Sequence, residues 1–422
     1  MNRRAFLHGT AAIALGTALS SAATTGKRPR RILLRSSWQT VNIGDIAHTP
    51  GVIRLLQEYL PEAEITLWPV NIGYGVEEML RKNFPKLRIA QGDDYTTGTP
   101  ETPEVRAAFE DCDLLIHGSG PALLREQSLL AWRKTTGKPY GVYGITFSST
   151  EPHVRELLSG ANFVFFRDSV SLQFAKDNGV KCPIMEFGPD GAFAMNCRND
   201  EAATAFLREH RLEEGKFMCV IPRYRVTPYW KIHDRVMQSK DELCHALNER
   251  MKEHDHAPIR EAICAVVRNT EMKILVCAED VSQVKIGEEM LLNPLPADVI
   301  ERVVWRDKYW LTDEAVSTYT RSAGLFGLEM HSSIMAIGNG IPAIVCRFRE
   351  QTSKGIMWRD IGLGEWLFNL DEENEIPGIV PAVLAMAKDP AAAKAKAAKA
   401  QEFVHQRQKE TMTIVGKAAG IA

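Results

Sequence analysis

The chain has 422 residues, 45% of them hydrophobic and 25% charged, proportions of an ordinary globular protein with room for two or three domains. Its net charge of −2 excludes a general basic footprint for nucleic acid or an anionic membrane surface. The eight cysteines form neither a CxxC pair nor a zinc spacing. Cys219, Cys277 and Cys346 sit in apolar runs, where a thiol behaves as a small hydrophobe, so no disulfide framework is expected.

At the N-terminus, Arg3-Arg4-Ala5-Phe6-Leu7 precedes an apolar stretch from Ala11 to Leu19 and the small residues Ser20-Ser21-Ala22-Ala23. That is the layout of a cleavable signal over residues 1–26, and the paired arginines point to the twin-arginine route. The apolar run is too short for a confident membrane span. The mature protein is expected in the periplasm or cell envelope, with no integral span once the signal is removed.

From Lys27 onward, apolar periodicity alternates strand with helix. Strands read at Ile32 to Leu34, Ile65 to Trp68, Leu87 to Ile89, Asp113 to Ile116, Tyr140 to Ile145 and Phe163 to Phe166. Between and after them, helices read at Thr49 to Tyr59, Gly75 to Asn83, Val105 to Glu110, Leu123 to Thr135 and Val170 to Asn178. The pattern restarts with strands at Phe217 to Ile221, Lys273 to Cys277, Val303 to Trp305, Gly324 to Leu328 and Pro342 to Cys346. A polar stretch, Arg223 to His256, interrupts this half, and a helix is expected from Pro258, a residue suited to a first turn. Such alternation implies parallel sheets covered by helices on both faces. The fold class is therefore α/β, with two Rossmann-like domains, 27–205 and 206–385, facing across a cleft. A tail, 386–422, reads as a solvated helix packed across them.

In open parallel sheets, ligands bind at the carboxyl ends of strands, so the polar loops there hold the candidate site. Asn42-Ile43-Gly44-Asp45 follows the first strand; Gly44 permits close approach, and Asp45 serves as a helix cap or a sugar ligand. Gly118-Ser119-Gly120 follows the fourth strand and is suited either to a plain turn or to an anion or sugar held by backbone N–H groups. Arg167, at a later strand-to-helix junction, suits a carboxylate or phosphate, or with Asp168 only ties the two domains together. Arg223 and Arg225 end the first strand of the second half. His331 precedes a helix start, where it can act as acid or base, and the N–H groups of Ser332 and Ser333 favour an anion. Glu329 shares a face with His331 if the backbone is extended. Lys354, after the polar loop Arg347 to Ser353, is either a surface lysine, the favoured reading, or one that reaches the cleft. No metal ligand cluster is evident in the spacing.

Taken in order, these motifs resemble the polysaccharide pyruvyl transferase family. The matching pieces are Asn42-Ile43-Gly44-Asp45, Asp113 to Ile116 with Gly118-Ser119-Gly120, Phe166 to Ser171, Gly188 to Phe193, and Met330-His331-Ser332-Ser333 through Pro342. The resemblance implies a fold like that of the two-Rossmann (B-type) glycosyltransferases, no cofactor, and transfer of the pyruvyl group of phosphoenolpyruvate to two hydroxyls of a glycan. It implies Arg223 and His331 near the donor, His331 as the acid that protonates it, and Arg167 as a support or a donor ligand. One position departs from the family pattern: Glu329 stands where an arginine is usual. Two other readings stay open on the same scaffold. One is an exported glycan-processing enzyme using Glu329 and His331 as an acid–base pair; the other is a non-catalytic protein that binds acidic carbohydrate.

Overall fold

Strands such as Phe163-Val164-Phe165-Phe166 and Phe217-Met218-Cys219-Val220-Ile221 are buried along their whole length, as a parallel sheet covered on both faces requires. The computed structural model describes residues 28–92 and 99–421; the expected signal at 1–26 lies outside them. The first sheet contains β1 (Arg31–Ser36), β2 (Glu64–Pro69), β3 (Arg88–Ile89), β4 (Leu114–His117), β5 (Tyr140–Ile145), β6 (Phe163–Phe166) and β7 (Met185–Phe187). The second contains β8 (Phe217–Ile221), β9 (Lys273–Val276), β10 (Val303–Trp305), β11 (Gly324–Gly327), β12 (Ala343–Arg347) and β13 (Leu367–Asn369). Their orders are β3-β2-β1-β4-β5-β6-β7 and β10-β9-β8-β11-β12-β13, parallel throughout. Both are the doubly wound order, so the chain has two Rossmann-like domains. Strand order reverses between β1 and β4 and between β8 and β11, and ligands bind beside such reversals.

Two helices differ from expectation. The first runs Ile43–Tyr59, because the Asn42 side chain caps the N–H groups of Gly44 and Asp45 at 2.7 and 3.1 Å. Pro50 is therefore inside the helix and is no barrier to its start. The helix expected from Pro258 runs Ser239–Asn269, opened by a reciprocal cap between Gln238 and Asp241. Its charged N-terminal half is made of good helix formers, and Pro258 again lies within the helix.

The first helix also joins the domains. Ile43 N–H donates to the Glu279 carbonyl at 2.8 Å, and the Thr312 hydroxyl donates to the Ile43 carbonyl at 2.9 Å. Gly44 is needed there: a Cβ on it would fall 2.3 Å from the His331 side chain. The tail forms the helix Pro390–Ala419, and it is not merely solvated. Val404, Met412 and Val415 are buried, Thr411 bonds the Tyr143 hydroxyl at 3.0 Å, and Gln401 donates to the Gly338 carbonyl at 2.8 Å. The helix thus touches both domains. All eight cysteines are free thiols. Among the described residues, no helix is long and apolar enough to cross a membrane.

Candidate functional site

The loops after β1, β4, β8 and β11 meet over a cavity of about 640 Å³ between the domains. Its lining includes Trp38, Asp45, Arg125, Arg223, His331 and Lys354. Three non-glycine residues at or beside its margin adopt left-handed backbone, Ser37 (φ 63°), Arg125 (φ 54°) and Thr352 (φ 62°). Such strain persists only where surrounding structure imposes it, and it concentrates at functional sites.

His331 stands at the start of the helix His331–Gly338 and is 5% exposed. Its Nδ1 lies 3.1 Å from the Glu279 carboxylate, and its Nε2 is buried without a partner among the described residues. Burial first, then the Lys354 ammonium and the nearby His48, hold its pKa well below the ordinary histidine range. The neutral imidazole is thereby favoured, with one ring N–H toward Glu279.

A second imidazole faces it. His48 lies one turn beyond Asp45 on the first helix, and the two rings meet edge to face with centroids 4.8 Å apart. His48 Nδ1 is 2.8 Å from Asp190 Oδ1, while the Arg167 guanidinium donates to the other Asp190 oxygen at 2.7 Å. Of the two roles left open for Arg167, these contacts give it the supporting one, and it also borders the cavity. It is 1% exposed, also bonds Thr146, and fixes Asp190, which in turn orients His48. Asp168 caps the following helix through Ser171 N–H.

Glu329 does not touch His331. Met330 already has helical backbone (φ −90°, ψ −44°), which turns the two side chains apart. Glu329 is fully buried with its carboxylate 2.6 Å from Arg223 Nη1, and it accepts from Gln283 at 2.7 Å. Although burial opposes it, the charge of Glu329 and that of Asp280 raise the pKa of Arg223 above its usual range. Neighbouring Asp280 is pushed up to about 6, chiefly by burial. The acid–base pair of the second reading is therefore not assembled, and Arg223 reaches the cleft already ion-paired.

Other expected positions also change role. The N–H and hydroxyl of Ser332 both donate to Glu279 Oε2, at 2.6 and 2.8 Å, so the protein's own carboxylate occupies that helix start. Gly118, Ser119 and Gly120 are buried beneath the cleft wall: the Ser119 carbonyl accepts from Trp38 Nε1 at 2.6 Å and its hydroxyl from Gly191 N–H at 2.8 Å. They support Trp38 and present no backbone cradle. Asn42 acts as the helix cap; it and Asp45 do line the cleft. Arg225 is tied up in ion pairs with Asp255 and Asp371.

Lys354 is 7% exposed and lines the cleft, and its ammonium makes no hydrogen bond or ion pair within 4 Å among the described residues. Burial, partly opposed by Glu329, lowers its pKa.

Sequence reasoning missed His48, Glu279 and Asp190. Asp45 and His48 are i and i+3, which share a face of a helix, but only once the helix is known to begin before Thr49. Asp190 was visible in a matching motif but without a role. Glu279 lies far from His331 in sequence and carries no local signal.

The fold resembles that of solved B-type glycosyltransferases and epimerases. The Staphylococcus aureus MnaA–UDP structure matches with a TM-score of 0.57 at 11% identity, covering 93% of this chain and 98% of that one. Anabaena Alr3699/HepE in complex with UDP and glucose gives 0.52 at 12%, covering 93% and 98%. Phytolacca americana UGT2 with UDP-2fluoro-glucose and pterostilbene gives 0.53 at 10%, covering 93% and 100%. These likenesses establish the fold alone. No curated protein matches the sequence. The model of the polysaccharide pyruvyl transferase family matches residues 42–348, which takes in much of the cleft though neither Trp38 nor Lys354, and the chain is a transferase belonging to that family.

Proposed function

We propose that this protein transfers the pyruvyl group of phosphoenolpyruvate to paired hydroxyls of a cell-envelope glycan, in the cleft between the two domains. The observation that carries this reading is Lys354: a side chain 7% exposed, lining the cleft, with no ion pair within 4 Å among the described residues, Glu329 and Glu279 acting on it only from farther away. A buried charge is costly unless it is paired, and an anionic donor supplies the pair. Arg125 lines the same cavity and adds positive potential for a carboxylate or a phosphate, while Arg223, also in the lining, is already paired with Glu329. Trp38, also in the lining, offers a flat apolar face to a sugar ring.

In the reaction the donor's methylene carbon gains a proton and becomes a methyl group. Its central carbon forms bonds to two acceptor oxygens, both hydroxyl protons leave, and the bond to phosphate oxygen breaks, releasing inorganic phosphate. His331 lines the cavity with an Nε2 that has no hydrogen-bond partner among the described residues, and His48 lies behind it, edge to face. The twin-arginine signal would carry the folded enzyme to an envelope acceptor.

A thermal-shift titration with phosphoenolpyruvate tests the reading, run beside Lys354→Met. At ~100 times its dissociation constant, a ligand stabilises the native state by about 2.7 kcal/mol. The wild type should show this rise in melting temperature, and the variant should lose most of it. No rise at millimolar donor would overturn the assignment; stabilisation by acidic oligosaccharides instead would favour a carbohydrate-binding role.

A further inference from the structure

Asp45, His48 and His331 bring three potential metal-ligand atoms within 4.8 Å of one another. Three features distinguish this group from a chance cluster. Both imidazoles are nearly or fully buried, at 0% and 5% exposure, and both have an Nε2 without a hydrogen-bond partner. Each imidazole has its other nitrogen fixed by a carboxylate, His48 Nδ1 by Asp190 at 2.8 Å and His331 Nδ1 by Glu279 at 3.1 Å. Carboxylates in that position set the tautomer of metal-binding histidines, leaving Nε2 as a lone-pair donor and increasing its basicity. The third group, Asp45, lies with its Oδ1 3.9 Å from His48 Nε2 and has a side chain only 14% exposed.

We propose that Asp45, His48 and His331 form a binding site for a divalent transition metal of the zinc class, with its remaining coordination position open to the cleft. Two imidazoles and one carboxylate are a donor set that suits zinc and its neighbours better than magnesium or calcium, which prefer all-oxygen sites. Three protein ligands and an open position make the arrangement of a catalytic metal rather than a structural one. Tetrahedral coordination with bonds near 2.0–2.1 Å sets donor atoms about 3.3 Å apart. The present spacing closes to that value by drawing Asp45 and the two rings inward by about 1 Å. Among the described residues the Asp45 carboxylate accepts a hydrogen bond from Gln39 alone, which leaves it able to make this movement.

The metal's role in turnover rests on the pyruvyl-transfer reading; the site itself does not. The usual arginine of the family is replaced here by Glu329, which neutralises Arg223. A divalent cation beside Lys354 would restore positive charge for the donor's phosphate or carboxylate. With both Nε2 atoms on the ion, neither imidazole would exchange protons with the donor, and the ion would supply electrostatic stabilisation beside Lys354.

The test uses the full mature chain, with any affinity tag removed so that added histidines cannot bind the metal. Elemental analysis after growth with added zinc, and the visible absorption of the cobalt-loaded protein, report occupancy without reference to activity. The expected result is one equivalent of metal in the wild type and at least tenfold weaker binding in both His48→Gln and Asp45→Asn. Asp45→Asn borders the cleft and guards against misfolding of the more deeply buried variant, with circular dichroism as the check. No stoichiometric binding at micromolar zinc by folded protein overturns the site, as does binding unchanged in Asp45→Asn and His48→Gln. Donor titrations with and without chelator separate the two claims. Donor binding by a protein that takes up no metal sinks the site and leaves the transferase reading standing; a loaded site with no donor binding does the reverse.

Discussion

Replacing Glu329 with glutamine removes one charge from a fully buried ion pair while preserving its shape. In the native structure its carboxylate sits 2.6 Å from Arg223 and also accepts from Gln283; a glutamine oxygen keeps only the second bond. Removing one partner of a buried pair costs about 3–5 kcal/mol. Part of that cost is recovered here, because Asp280 and Glu279 still act on Arg223 and the Glu329 carboxylate no longer has to be buried. A loss of about 3 kcal/mol is expected, read as a lower urea midpoint with an unchanged slope. Donor affinity should move the opposite way. A unit negative charge within about 6 Å of the donor, at an effective dielectric constant near 20, opposes it by roughly 3 kcal/mol. Glu329→Gln should therefore bind phosphoenolpyruvate on the order of 100-fold more tightly, measured by calorimetry. A variant as stable as the wild type, with unchanged donor affinity, would refute both the pairing and its role in restraining Arg223.

Three other perturbations follow from the packing. His117 and His256 are fully buried, and burial lowers each pKa to about 4, so the unfolded chain takes up their protons first. Their contribution is complete above pH ~6.5 and falls between pH ~6.5 and ~4, by about 3 kcal/mol for each; His256→Gln should flatten the stability–pH profile measured by chemical unfolding. Gly44→Ala places a methyl group 2.3 Å from the His331 side chain; overpacking of this kind costs about 1–3 kcal/mol and should lower both the melting temperature and donor binding. Truncation after Asp389 removes the terminal helix and strips cover from both domains. Val404, Met412 and Val415 alone account for about 6 kcal/mol of burial, so the shortened chain should be cleaved rapidly in limited proteolysis under conditions where the full chain resists.

The scaffold was legible because buried parallel strands such as Phe163–Phe166 and Phe217–Ile221 are continuous apolar runs with turn residues between them. The edge strands β7 and β13 were not, since Met185-Glu186-Phe187 and Leu367-Phe368-Asn369 each carry a polar residue and no β-branched one, whereas the equally short β10 is Val303-Val304-Trp305. Loops placed after strands led to Asn42, Asp45, Arg223 and His331, all of which line the cleft; Lys354 lines it as well, although the sequence favoured a surface position. Their partners were hidden for a physical reason: a strand-end side chain is answered by residues far away in the chain. Glu329 was read by its proximity to His331, yet it answers Arg223, while Glu279, 52 residues from His331 in sequence, holds the imidazole. Ser332 illustrates the same point, because the anion favoured by its helix start is supplied from within the protein. The helix boundary at Ile43 mattered most, since placing the start at Thr49 removed His48 from view.

The most direct test of pyruvyl transfer in this cleft is diffraction from crystals of the mature protein soaked with phosphoenolpyruvate. The account predicts density for the donor between the domains, with an anionic group in contact with the Lys354 ammonium and the enol carbon facing His48 and His331. A fully ordered cleft without donor at saturating concentration, or donor bound away from Lys354, would contradict it.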